Sequence, residues 1–264
     1  MCYDVNFLTK NKIKYARRFA DSEKDIKDLE EQLKKLDERI GPHYHVSGFE
    51  HPDLPVITNE NPREIQLLNW GLIPSWTKDV QSAVEISNRT LNARSETMFE
   101  KPAYKESSLE RRCLVIVDGF FEHHWKNGKS YPYHIFLKDG DPMALGGIWS
   151  IWKDRVSGLY RKTFSIVTTK ANSLLNRIHN NPKASIGPRM PLIIPKELEK
   201  DWLGTTADPV TKDIIGSLIA PFDAEQMDSY TVPRLRGKLA IGNSPQAVEH
   251  FDYDELNSNQ GELF

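Results

Sequence analysis

The chain opens "MCYDVN", with one of its two cysteines directly after the initiator methionine. Because the cysteine side chain is small, removal of Met1 by a methionine aminopeptidase is expected, and Cys2 would become the mature N-terminus. That residue would carry an α-amine titrating at about 7.7–8.0 and a thiol at about 8.5, so both are partly nucleophilic near neutrality. A 1,2-aminothiol condenses with an aldehyde to an imine, and the neighbouring sulfur then closes a five-membered thiazolidine. An internal cysteine cannot do this, because its nitrogen is an amide. A second chemistry open to the same residue is that of an N-terminal nucleophile hydrolase, with the amine as base for the thiol. A small residue without a role is the third reading.

Three other groupings carry chemistry. In "LNARSET" (91–97), Asn92, Arg94 and Glu96 alternate, so an extended segment would place them on one face. An amide beside a guanidinium suits a phosphate or sugar oxygen, although a solvated strand face has the same pattern. In "DGFFEHHW" (118–125), Glu122 follows two aromatic residues. A carboxylate held among rings is suited to proton transfer near neutrality; a salt-bridged surface glutamate is the plainer alternative. In "NRIHNNPKASIGPRMPLIIP" (176–195), His179 ends a short helical pattern and precedes a loop punctuated by proline and glycine. A loop histidine beside arginine can move protons. His43, His45, His123 and His124 raise the question of a metal, but neither HExxH nor paired CxxC spacing supports one, and no metal or other cofactor is expected.

Elements must position these groups. Residues 16–40 read as an amphipathic helix, with Ile26, Leu29, Leu33, Leu36 and Ile40 on one stripe, Ser22 and Asp25 as a cap, and Gly41-Pro42 as a stop. Strands are expected within 112–125 and over 131–137, with a turn at 126–129, and over 143–152 and 162–171. Short helices are expected over 172–179, 195–204 and 208–220. The mixture predicts a single α+β domain over 1–250 and a flexible acidic tail over 251–264.

The chain has 264 residues, 39% of them hydrophobic and 27% charged, the composition of an ordinary globular protein. It contains neither an apolar run long enough to span a membrane nor the apolar core of a secretory signal, so no membrane association is expected and the cytoplasm is the expected compartment. Two cysteines make no disulfide framework. Net charge is −2, yet residues 249–264 hold five acids and no lysine or arginine, so the remainder is net basic. Nucleic acid stays open as a partner.

Taken in order, Met1-Cys2, "NWGLIPSW" (69–76), "NARSET" (92–97), "DGFFE" (118–122), "SIVTTKAN" (165–172), "IH" (178–179) and "RMPLII" (189–194), with an echo in "AIGNSPQAV" (240–248), resemble the SRAP proteins. These were first named SOS response-associated peptidases and are now regarded as abasic-site processing proteins. The resemblance implies a largely antiparallel, curved, barrel-like mixed sheet flanked by helices, with a DNA-binding groove. It implies an abasic-site sensor for single-stranded DNA, in which Cys2 forms a thiazolidine crosslink with the ring-opened sugar and shields the lesion during the DNA damage response. It also implies self-processing peptidase (hydrolase) activity, lyase-like chemistry at the lesion, and no metal. On this reading Asn92 would position the Cys2 backbone and the opened sugar, Glu122 would shuttle protons, and His179 would assist ring opening. Arg94 and Arg189 would hold phosphates, and Trp76 would stack on a base or wedge the strand. A monomer near the nucleoid is expected.

The departures predict a changed phosphate contact. Tyr3-Asp4 stands where the family usually has Gly-Arg, so DNA binding should weaken unless another arginine substitutes. His123 replaces the tryptophan that commonly follows the glutamate, and the spacing from His179 to Arg189 is longer than in many members. The chain ends "QGELF", and Gln260, Leu263 and Phe264 resemble a peptide that docks on the bacterial sliding clamp. The competing functional classes are a cysteine peptidase or amidohydrolase acting in trans, and a non-covalent DNA-binding adaptor.

Overall fold

In chain order the strands are β1 (Asp4–Phe7), β2 (His43–Ser47), β3 (Asp53–Thr58), β4 (Gln66–Trp70), β5 (Asn92–Arg94), β6 (Arg112–Val117), β7 (Gly119–Lys126), β8 (Lys129–Leu137), β9 (Met143–Lys153), β10 (Tyr160–Lys170), β11 (Arg189–Pro191) and β12 (Met227–Thr231). The helices are α1 (Glu23–Ile40), α2 (Val80–Ser87), α3 (Lys105–Glu110), α4 (Ser173–Ile178), α5 (Glu199–Leu203), α6 (Lys212–Ser217) and α7 (Asp254–Asn257). The structure is a computed structural model, and it describes residues 2–7, 14, 20, 22–183, 186–204 and 211–257.

A closed ring of strands forms the centre. β10 pairs in parallel with β4, β4 antiparallel with β3, β3 with β6, β6 with β9, and β9 returns to β10. β5 and β11 add to the far end of β10. The second sheet runs β12-β8-β7-β1-β2. The α+β class and the curved, mostly antiparallel sheet are as the sequence led one to expect.

Local chemistry explains the elements. All six residues of β6 are buried. Its backbone carries α5: the Trp202 indole donates to the Cys113 carbonyl at 2.9 Å, and Arg112 Nε donates to the Trp202 carbonyl at 2.6 Å. A strand covered on both faces reads as a continuous apolar run. Gly147 of β9 is required by close approach, since a Cβ there would meet Cys113 Sγ at 2.8 Å. The β7–β8 turn uses Asn127 and Gly128, both at positive φ (51° and 75°), the geometry of a tight hairpin.

The expected helix over 16–40 is seen from Glu23 to Ile40, with the Ser22 hydroxyl accepting from the Asp25 amide at 3.2 Å; residues 15–19 and 21 lie outside the described set. Leu29, Leu33 and Leu36 are its buried stripe. Asn172 caps α4 through Leu175 N–H at 3.0 Å. The tail departs from expectation. Phe251 and Thr231 exchange backbone and hydroxyl hydrogen bonds (2.8 and 2.7 Å), the Tyr253 hydroxyl donates to Val232 at 2.8 Å, and α7 follows, so the chain packs as far as Asn257. Gln260, Leu263 and Phe264 lie outside the described residues. No helix among the described residues is long and apolar enough to cross a membrane.

Candidate active site

The site lies at the seam of the two sheets. β1 pairs with β7 through Asp4–Phe121, Val5–Phe120 and Asn6–Gly119. Gly119 is required where β7 meets both neighbours: a Cβ would sit 2.5 Å from His134 Nε2 and 2.6 Å from the Ile135 carbonyl of β8, and 3.1 Å from Asn6 Oδ1 of β1. The "DGFFE" motif thereby fixes Glu122 beside the N-terminal segment. From the other side, β5 brings Asn92, and its Nδ2 donates to the Cys2 carbonyl at 2.8 Å. The Tyr104 hydroxyl donates to the Asn92 backbone carbonyl at 3.0 Å, a supporting contact that no sequence motif announced. The Gly48 amide holds the Tyr3 carbonyl at 2.7 Å.

Cys2 is fully buried. Burial pushes its thiol well above the ordinary range, and the negative charge of Glu122 adds to the rise. Cys113, buried in the barrel, is pushed up by desolvation too, with no acid–base partner named beside it. Asn92 Oδ1 is buried and has no hydrogen-bond partner among the described residues, an acceptor left open next to Cys2.

Glu122 is buried at 6% exposure, and its Oε1 lies 3.8 Å from His179 Nδ1. His179 closes α4, which packs against β7 and β11; this is how a residue far along the chain reaches Glu122. His179 Nδ1 also lies 3.0 Å from the Arg189 carbonyl, so the ring is oriented by the start of β11. Tyr3, Asp4, Glu122, His123, Trp125, His179 and Arg236 line an open cleft of about 220 Å³ beside Cys2.

The expected phosphate ligands divide. β5 ends at Arg94, and Glu96 lies in the turn that follows, so the three-residue alternation does not continue to it. Arg94 is half-exposed. Arg189 is different: it is 3% exposed, its two terminal nitrogens grip Glu96 at 2.9 and 2.8 Å, and it donates again to the Thr168 carbonyl at 2.7 Å. Burial would raise the Glu96 pKa, but those bonds outweigh it and hold it below the ordinary carboxylate range. Arg189 thus locks the end of β10 to the turn after β5, and its guanidinium is already committed. Trp76 is 53% exposed and is not among the cleft-lining residues, whereas Trp70 of the same motif is core, donating to the Leu91 carbonyl at 2.8 Å.

Asp4 is 2% exposed and has two basic side chains against its carboxylate. His45 Nε2 lies 3.1 Å from Oδ1, and Arg236 Nη2 pairs with Oδ2. Burial would raise the Asp4 pKa, but the His45 hydrogen bond and the Arg236 charge hold it below the ordinary range. His123, nearby, has its pKa lowered by burial and by Arg236. Of the other two histidines raised as metal ligands, His43 stacks on Phe7 with its Nδ1 3.2 Å from the Gly41 carbonyl, and His124 Nδ1 lies 3.0 Å from the Arg177 carbonyl. Among the described residues no group of three His, Cys, Asp or Glu is placed to hold a metal.

A Bacillus subtilis protein named "Abasic site processing protein YoqW" is 34% identical over 212 residues, covering 79% of this chain and 86% of its own. The Xenopus tropicalis "Abasic site processing protein HMCES" is 28% identical over 184 residues, 62% of this chain and 52% of that protein. A crystal structure of a Bacteroides thetaiotaomicron protein superposes with a TM-score of 0.79 at 34% identity, covering 95% of this chain and all (100%) of that one. The model described as "SOS response associated peptidase (SRAP)" matches residues 5–238, nearly the whole length, and the chain belongs to the SRAP family.

Proposed function

We propose that the protein recognises abasic sites in single-stranded DNA and joins them covalently to Cys2. The observation that carries this reading is the hydrogen bond from Asn92 to the Cys2 carbonyl, with the Glu122–His179 pair alongside. The Asn92 amide fixes the N-terminal residue against the cleft, and its open Oδ1 can accept from the Cys2 amine or the sugar.

The chemistry balances without a cofactor. With Met1 gone, the Cys2 amine attacks the aldehyde carbon of the ring-opened sugar, and the carbinolamine loses one water to give an imine. The thiol sulfur then bonds to the imine carbon, the C=N π electrons move to nitrogen, and the thiol proton ends there. The net change is aldehyde plus aminothiol to thiazolidine plus water. Each stage moves a proton to or from oxygen or nitrogen, and Glu122 is the buried carboxylate beside Cys2 that can carry it. His179, 3.8 Å from Glu122, is placed to exchange protons with it and to assist opening of the sugar ring. Hydrolytic release of Met1 by the same residues, as the family name suggests, would prepare the amine. The half-exposed Arg94 would meet phosphate, and Trp76 would stack on a base.

A denaturing gel with a single-stranded oligonucleotide carrying one abasic site tests the reading. A shifted band from the wild type that disappears with Cys2→Ala is expected. No band from the wild type, or an equal band from the variant, rejects it.

A further inference from the structure

We propose that Arg236 is a phosphate-binding residue of the cleft, held there by its loop and offsetting the buried carboxylate of Asp4. The inference rests on the DNA reading above and adds a contact to it. Arg236 lines the cleft together with Glu122 and His179, yet nearly half of its side chain (48%) is exposed. Its position is built in. Two residues earlier, Arg234 donates to the Ser130 carbonyl and stacks 5.1 Å above both Tyr131 and Tyr253. Seven residues later, Asn243 Oδ1 accepts from the backbone amides of Tyr44 (2.7 Å) and His45 (3.3 Å). The loop between is closed on itself by Ile241 N–H to the Arg234 carbonyl at 3.1 Å. A loop stapled at both ends holds the guanidinium over the cleft, where it lies 5.9 Å above the Phe49 ring.

The charge arrangement points to an anion. A bare aspartate at a cleft for single-stranded DNA would repel the phosphates. Here the Asp4 charge is offset by the Arg236 guanidinium on Oδ2, and its Oδ1 is taken up by a hydrogen bond with His45. Because His45 shares the carboxylate, Arg236 meets it through one terminal nitrogen, Nη2. A guanidinium has five N–H donors in a planar fork suited to phosphate, so donors remain for a second anion.

The test is equilibrium binding of the full-length protein to undamaged single-stranded oligonucleotide across a salt series, with abasic crosslinking run in parallel. Arg236→Gln should weaken binding and lower the log–log salt slope by about 0.7, the loss of one phosphate contact on a single strand. Arg236→Lys should keep the slope. Asp4→Asn should bind as tightly as the wild type or tighter, because the arginine is freed from its neutralising partner. An ion pair that only supports the fold gives a different pattern, with Arg236→Gln and Asp4→Asn weakening binding alike. That result, or an unchanged slope in Arg236→Gln, overturns the proposal. If Arg236→Gln fails to fold with Asp4 unpaired, Asp4→Asn/Arg236→Gln compared with Asp4→Asn alone reads the same contact. A wild type that binds with this slope but forms no crosslink would reject the crosslinking function and leave the phosphate contact standing.

Discussion

Asn92 holds Cys2 by the backbone: its Nδ2 donates to the Cys2 carbonyl at 2.8 Å across 90 residues of chain. This bond couples the barrel to the N-terminal strand at the point where the aldehyde must arrive. Asn92→Asp replaces the donor with an acceptor and sets a carboxylate against a carbonyl. Crosslink formation should fall about tenfold or more, while thermal unfolding changes little, since one partly buried hydrogen bond contributes about 1 kcal/mol. A gel time course with a parallel melting curve checks both.

Glu122 should separate thiol reactivity from crosslinking. Its charge helps to hold the Cys2 thiol protonated, after the larger effect of burial. In Glu122→Gln the thiol pKa should fall, and alkylation of Cys2 by iodoacetamide at pH 8 should run faster than in the wild type. Crosslinking, which needs the proton carrier, should slow by about 10²-fold or more. Peptide mass spectrometry reads the alkylation at Cys2 and Cys113 separately, and only the Cys2 rate should respond to the substitution.

The Asp4 cluster should make stability sensitive to acid. The folded pKa of Asp4 is lowered, so its stabilising contribution is complete above the unfolded value of about 3.9 and is lost as pH falls through the folded one. The stability gap between wild type and Asp4→Asn should therefore be constant above about pH 4 and close as the pH falls below it. Urea titrations between pH 3 and 7 measure this.

Arg189 is predicted to act on the fold. Arg189→Ala removes the bidentate pair to Glu96 and one of the donors to the Thr168 carbonyl and should cost about 1–3 kcal/mol, lowering the urea midpoint. The salt slope of DNA binding should stay at the wild-type value. A lowered slope with unchanged stability would restore Arg189 as a phosphate ligand.

Sequence carried the local features and missed the long-range ones. The Asn127-Gly128 turn and the Ser22 cap are legible because each depends on its sequence neighbours. Cys2 and Glu122 are legible because their chemistry is unusual. The pairing of Arg189 with Glu96 was not legible, because a guanidinium looks the same in sequence whether it faces solvent or a carboxylate 93 residues away. The Asp4–Arg236 pair spans 232 residues, and only the oddity of an aspartate at position 4 hinted that an arginine would come from elsewhere. The two tryptophans of "NWGLIPSW" part company for the same reason, since burial of Trp70 and exposure of Trp76 are decided by the barrel.

The most direct measurement is mass spectrometry of the peptide crosslinked to an abasic oligonucleotide. The account predicts a peptide beginning at Cys2, one methionine shorter than the encoded chain, carrying the sugar on both its nitrogen and its sulfur with loss of one water. A crosslink found on a peptide that still begins with Met1, or on any other residue, would contradict it.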